Sequence, residues 1–455
     1  MKQMPKRKLI PLLTDFLEYK QAAHQTIPYA KKMQQTYGDV CDVSFTGIKN
    51  YFIHDPELIK ELLTTHGPEM QRTYFFKAFR KLLGMGLFTA DGLYHKQQRK
   101  LIKPAFYPQR IAAYADTMVA CAEAEMKKWK EGEWVNINQA MTRVTMKVIT
   151  KALFGTGLSD ELIDDVGHYV SELINLINRV LSNPFYTYCL IHEIPIPPVN
   201  RFFKLKVQLD KVVNDVIANY RKQDLSSSTD LLSMLMELKD EETNAQMNDQ
   251  QIRDEVMTFI LAGHETTTLA LTWSFYLLGK NPEIADKWYA EVDQVIKGET
   301  PGVAHYIDLV YTKNIVKEAL RLYPPAWTFS RSPKEDIVIN DYFFPKGCTL
   351  WTITYLLHHD ERYFSEPEKF IPERWEEEAM KQIPKYAYIP FGGGNRLCIG
   401  EGFAWMETVL VLATAAKQFR FELDLNFSTS IHPIFSLRTK EPVLMKVKKR
   451  EGKGT

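Results

Sequence analysis

The chain has 455 residues and a mass of 52.8 kDa, 45% hydrophobic and 25% charged, a composition that excludes disordered, collagen-like and disulfide-scaffold classes and provides for a large core. Lys and Arg total 57 against 56 Asp and Glu, a net charge of +1, so no long-range positive field marks a nucleic-acid partner. Five cysteines, Cys41, Cys121, Cys189, Cys348 and Cys398, form no Cys-x-x-Cys pair, which argues against a disulfide framework or structural zinc and for a reducing, cytoplasmic setting.

In chain order, Met1 to Tyr19 holds basic residues and an apolar stretch, Leu9 to Leu13, broken by Pro11, too short for a signal or an anchor. Alternation in Val40 to Ser44 and Asn50 to Ile53 predicts a hairpin turning at Thr46-Gly47, after which Asp55-Pro56 opens a helix to Thr65. Helical periodicity follows in Ile111 to Trp129, Met141 to Phe154, Leu162 to Leu181, Phe203 to Tyr220 and Ile252 to Leu278. Two breaks interrupt it, Asn183 to Pro198 and the polar, Ser-rich Asp224 to Thr229. Thr258 to Leu278 is long enough to cross a bilayer, but His264 and Glu265 within it make a buried helix the expectation.

Helices are predicted at Pro282 to Ile296 and Asp308 to Tyr323, where Pro324-Pro325 ends the pattern because proline donates no backbone hydrogen bond. Strands are expected at Ile337 to Ile339, Tyr342 to Pro345 and Cys348 to Thr354, with a closing hairpin of Ile434 to Leu437 and Val443 to Val447. The sequence carries no internal repeat, so a solenoid is not supported.

The strongest chemical signal is Phe391-Gly392-Gly393-Gly394-Asn395-Arg396-Leu397-Cys398-Ile399-Gly400, which delivers a cysteine to the start of a helix from Glu401 to Lys417. Glycines allow a tight turn and close backbone approach, and a helix N-terminus favours the thiolate, the form that ligates metal. Seven specified positions match by chance in roughly one chain in a million.

Here the sequence resembles the cytochrome P450 superfamily. The resemblance implies a mainly α fold with small β-sheets, one haem domain over 1–455. Its β-rich parts lie near 38–54, 335–355 and 431–448, and its helical parts near 95–325 and 400–418. Cys398 is then the axial ligand of haem iron, whose sulfur pushes electron density toward O–O cleavage. Glu318 and Arg321, three residues apart, match with Arg374 of Pro372-Glu373-Arg374-Trp375 the family's structural triad. Ala262-Gly263-His264-Glu265-Thr266-Thr267 matches the oxygen-binding helix, with Thr266 and Glu265 as the catalytic proton relay.

By the same resemblance His95 and Arg99, four apart on one helix face, together with Arg331 and Arg396, face the haem propionates, and Phe391 joins the haem-binding residues. Phe75, Phe76, Phe79, Leu87 and Phe88 fall in a stretch that lines the family's substrate pocket. So do Phe259, Ala326, Trp327, Phe329 and Phe435. The segment Asn183 to Pro198 matches the entrance region, which either touches a membrane or covers the site.

The implied function is monooxygenation of a lipophilic substrate, a fatty acid or a terpenoid or carotenoid, with haem b as cofactor, O2 as co-substrate and no bound flavin. Two electrons come from a separate ferredoxin or flavodoxin with an NAD(P)H reductase, to which Lys100, Lys103 and Lys385 offer positive charge. A soluble cytoplasmic monomer is expected. Polyketide or peptide tailoring is the alternative chemistry, and a non-catalytic haem-thiolate ligand binder the alternative of another class.

Overall fold

A computed structural model describes residues 25–45, 49–155, 158–225, 228–239, 246–424 and 426–450. The N-terminal stretch to Tyr19 and the Thr46-Gly47 turn lie outside the described residues, as does part of the Asp224 to Thr229 loop.

The central element is the helix Asp249–Lys280, whose 32 residues are buried over most of its length. Its start is set by a capping box: Asn248 accepts from the Gln251 backbone N–H at 2.9 Å while the Gln251 side chain accepts from Asn248 N–H at 3.0 Å. A helix apolar on every side needs neighbours on every side. Ile137–Phe154, Pro282–Ile296, Val310–Leu322 and Glu401–Gln418 supply them in the largest hydrophobic cluster. The Thr258 to Leu278 stretch is thus a core helix, and no helix among the described residues is long and apolar enough to cross a membrane.

A five-stranded sheet joins distant parts of the chain in the order Val40–Asp42, Asn50–Ile53, Thr349–Thr352, Phe329–Pro333, Met70–Gln71. Asn50–Phe52 runs parallel to Thr349–Trp351, and the other pairs are antiparallel. The Ile337–Ile339 and Tyr342–Phe344 hairpin turns at Asn340 and Asp341, both at positive φ (46° and 70°), the geometry that favours Asn and Asp.

Two expectations are corrected. Asn183 to Pro198 is not an irregular break: Pro184–Ile191 is a helix, with Asn183 Oδ1 accepting from Phe185 N–H at 2.9 Å and Pro184 at the first helical position, where its missing N–H costs nothing. The closing hairpin does not form either. Leu437–Thr439 pairs with Ile431–Pro433, whereas Leu444–Lys449 lies between Phe419–Leu423 and Trp134–Asn136. Met445 and Val447 bury their side chains there, so apolar burial chose a partner remote from the nearest strand in sequence.

Candidate active site

A cavity of about 340 Å³ separates the Cys398 loop from the central helix. The loop is pinned where the Cys398 N–H donates to the Phe391 carbonyl at 3.0 Å. Gly394 has φ +65°, and a Cβ there would stand 1.8 Å from the Leu63 carbonyl oxygen, so the loop packs against the end of helix Pro56–Leu63 only because this residue has no side chain. Of the five cysteines Cys398 alone is exposed, and it opens into the cavity. Although accessible from the cavity, it is enclosed by protein, and that desolvation pushes its thiol up to about 11, opposed by the Gly400 N–H and by Arg99.

One end of the cavity is ringed by basic side chains. His95 and Arg99, one turn apart on helix Gly92–Ile102, both reach it, as do Arg331 and Arg396. Arg72 joins them. Asp91 accepts from Arg396 Nη2 at 2.6 Å and from Arg80 Nη2 at 3.0 Å. Arg396 Nη1 and Arg72 Nε are buried with no acceptor. Arg72 is held well below the usual arginine range, first by burial and then by Arg331 and Arg396. Burial pushes His95 down to about 3, with Arg396, Arg72, Arg99 and Arg331 adding to the fall. The imidazole is therefore neutral at pH 7, among guanidinium groups that outnumber the one carboxylate, Asp91.

Ala262, Gly263 and Thr266 face the cavity from the central helix, and Thr266 Oγ1 donates to the Ala262 carbonyl at 2.6 Å. Glu265 does not line it. This carboxylate, 4% exposed, accepts at Oε1 from Ser436 Oγ at 2.6 Å and Arg438 Nε at 2.7 Å, while Oε2 is buried without a partner. Successive helical residues point about 100° apart, so Thr266 in the wall puts Glu265 behind it.

Leu87, Phe88, Phe259, Ala326 and Phe329 line the hydrocarbon part of the cavity. Phe75, Phe76, Phe79 and Phe435 stand behind it, packed ring on ring, with Phe79 4.8 Å from Phe435 and 5.3 Å between Phe76 and Phe88. Trp327 belongs to a separate cluster and donates from Nε1 to the Ile434 carbonyl at 2.9 Å. Its expected pocket contact is corrected: Trp327 precedes the strand Phe329–Pro333 and buries its ring in the cluster of Phe52, Ile353 and Leu437 instead.

The cytochrome P450 family model matches residues 4–447. The chain belongs to the cytochrome P450 family. It is 34% identical over 410 residues to the cyclooctatin synthase of Streptomyces melanosporofaciens, covering 88% of this chain and 87% of that one. It is 32% identical to the cyclooctat-9-en-7-ol 5-monooxygenase of the same organism, covering 84% and 83%. The crystal structure of the cytochrome P450DA heme domain superposes with a TM-score of 0.85 at 25% identity, covering 99% of this chain and 98% of the other. This cytochrome P450 is thus a monooxygenase, an oxidoreductase of mainly helical fold, and its family implies haem and O2.

The residues present fit haem. A lone thiol on one wall is a soft ligand suited to iron, and buried guanidinium atoms without acceptors are what a pair of carboxylates would satisfy. Arg72 was not among the residues expected from sequence. It follows a two-residue edge strand, and no local pattern marks it. Ser436 and Arg438, which anchor Glu265, were missed because they come from a strand pair more than 160 residues later.

Proposed function

We propose that this cytochrome P450 hydroxylates or epoxidises a compact terpenoid. The observation that carries the reading is the cavity's division into three parts: the Cys398 thiol on one wall, a ring of basic side chains at one end, and a rigid hydrocarbon surface of Leu87, Phe88, Phe259, Ala326 and Phe329. Aromatic and branched walls suit a bulky alicyclic skeleton better than a flexible chain, whose rotamer freedom would be lost on binding. One relative is named for oxygenation of cyclooctat-9-en-7-ol, by its name an unsaturated alcohol.

In this reading the Cys398 thiolate would hold the iron of haem b, Phe391 would contribute to its binding site, and His95, Arg99, Arg331 and Arg396 would hold its carboxylates, His95 as a neutral donor. Bound haem supplies reductive activation of O2 and transfer of one oxygen atom to the substrate. Thr266 Oγ1 holds and passes the proton that this chemistry consumes, and Glu265 replenishes it through its unpartnered Oε2. The hydrocarbon wall excludes water from the substrate.

Electrons come from a separate ferredoxin or flavodoxin with its NAD(P)H reductase. Lys100, Lys103 and Lys385 are exposed and suited to an acidic partner. The chain acts as one haem domain and a monomer in the cytoplasm. The test is an optical titration of the ferric holoprotein with cyclic terpene alcohols, long-chain fatty acids and macrolides. Saturable Soret shifts with the terpene alcohols are expected, and shifts with fatty acids or macrolides alone would overturn the substrate class.

A further inference from the structure

The segment Gly84–Phe88 carries the two residues that begin the hydrocarbon wall, Leu87 and Phe88. It is held by the central helix through its main chain. Met85 N–H donates to Asp254 Oδ2 at 2.8 Å, and Leu87 N–H donates to Glu255 Oε2 at 2.9 Å. Consecutive carboxylates on the helix thus take alternate backbone donors of the loop. The approach is too close for side chains. A Cβ on Gly84, which has φ +57°, would lie 2.1 Å from Asp254 Oδ2, and one on Gly86 would lie 2.2 Å from Thr258 Oγ1 and 2.5 Å from the Asp254 carbonyl oxygen. The Gly-x-Gly spacing therefore lays the loop flat on the helix.

Both ends of this contact are rigid. Asp254 Oδ1 also accepts from Arg253 Nη1 at 2.9 Å and Gln250 Nε2 at 2.8 Å, and Arg253 Nε donates to Asp210 at 3.0 Å on helix Pro197–Tyr220. Beyond the loop, Thr89 Oγ1 donates to the Gly84 carbonyl at 2.7 Å, and Arg80 Nη2 donates to the Thr89 carbonyl at 2.9 Å. Asp254 and Glu255 are 5% and 1% exposed. Burying two carboxyl groups side by side is costly unless each is given hydrogen-bond donors, and the donors they take from outside their own helix are the backbone N–H groups next to Phe88.

We propose that Asp254 and Glu255 are positioning residues that fix where Phe88 stands over the cavity, and so determine which substrate shapes the enzyme admits. Because the grip is on backbone N–H groups, the side chains at 87 and 88 are free to set the shape of the wall while its position stays constant. The proposal rests on the reading of this cavity as the haem and substrate chamber.

The test uses the haem-loaded protein and two iron-ligating probes that differ by one phenyl ring, imidazole and 4-phenylimidazole. Glu255→Leu is expected to weaken 4-phenylimidazole about tenfold, the order of one lost hydrogen bond, while imidazole binding changes less than about twofold. Glu255→Gln, whose amide oxygen still accepts from Leu87 N–H, should bind both like the parent. In a Phe88→Ala background the effect of Glu255→Leu should disappear. Gly86→Ala attacks the same contact from the loop side and should reproduce the selective loss if Glu255→Leu folds poorly. Equal weakening of both probes, or an unchanged effect in the Phe88→Ala background, would overturn the proposal. Failure of imidazole to bind the parent protein would instead overturn the chamber assignment on which it rests.

Discussion

Arg321 grips both oxygens of Glu318, through Nε at 3.0 Å and Nη2 at 2.8 Å, with neither side chain exposed to solvent at all. The three-residue spacing on helix Val310–Leu322 sets up the pair, and the rest of the network comes from elsewhere. Arg374 Nε and Trp375 Nε1 donate to Glu318 at 3.2 and 2.8 Å, and Arg321 Nη1 donates to the carbonyls of His358 and Pro367 at 2.8 and 2.7 Å. The network ties the helix before Pro324-Pro325 to the segment leading into the Cys398 loop.

Removing one partner leaves the other charge buried and unpaired. Glu318→Ala is therefore expected to destabilise the fold by about 3 to 5 kcal/mol. Denaturant unfolding measures it, and a loss below about 1 kcal/mol would mean the pair behaves as a surface ion pair.

Thr266 and Glu265 sit on opposite sides of the cavity wall, so their substitutions should differ. Thr266→Ala should cut product formed per electron about ten- to a hundredfold, with the electrons appearing as hydrogen peroxide, and Thr266→Ser should restore coupling. Glu265→Gln should slow turnover and raise its solvent isotope effect with substrate affinity unchanged. Equal coupling in Thr266→Ala would remove the hydroxyl from the proton path.

Arg72 Nε has no acceptor despite burial among Arg331 and Arg396, and its guanidinium lies 4.4 Å over the Phe76 ring. A haem propionate would satisfy it. Arg72→Gln should then speed haem transfer to apomyoglobin about tenfold or more, the order of one charge-assisted hydrogen bond. An unchanged rate would place Arg72 outside the haem-holding group.

Burial pushes Glu255 up to about 8, with Asp254 raising it further and the Leu87 N–H opposing the rise. The native chain then holds a proton that the unfolded chain releases near pH 4.5, so stability declines as pH rises from about 4.5 through 8. Glu255→Gln removes that titration. The melting temperature of the variant relative to the parent should increase between pH 6 and pH 9, and a constant difference would show that the carboxyl is already ionised in the fold.

Much of this was legible along the chain because its physical causes are local. The strands Ile337 to Ile339 and Tyr342 to Phe344 around Asn340-Asp341 and the helix start at Asp55-Pro56 depend on hydrogen bonds within a few residues. The Phe391–Gly400 loop is likewise contiguous, and Cys398, Arg99, Arg331, Arg396 and Thr266 line one cavity.

What the sequence by itself determined was the family, the helical core and the identity of the thiol; the tertiary structure alone decided which charges meet. Arg72 reaches the cavity from just beyond an edge strand, Ser436 and Arg438 supply the donors that Glu265 meets behind the wall, and Leu444–Lys449 pairs with Trp134–Asn136 rather than its nearest neighbour. These contacts span tens to hundreds of residues. Their energy comes from pairing groups that burial has stripped of water, and burial exists only once the whole chain has packed.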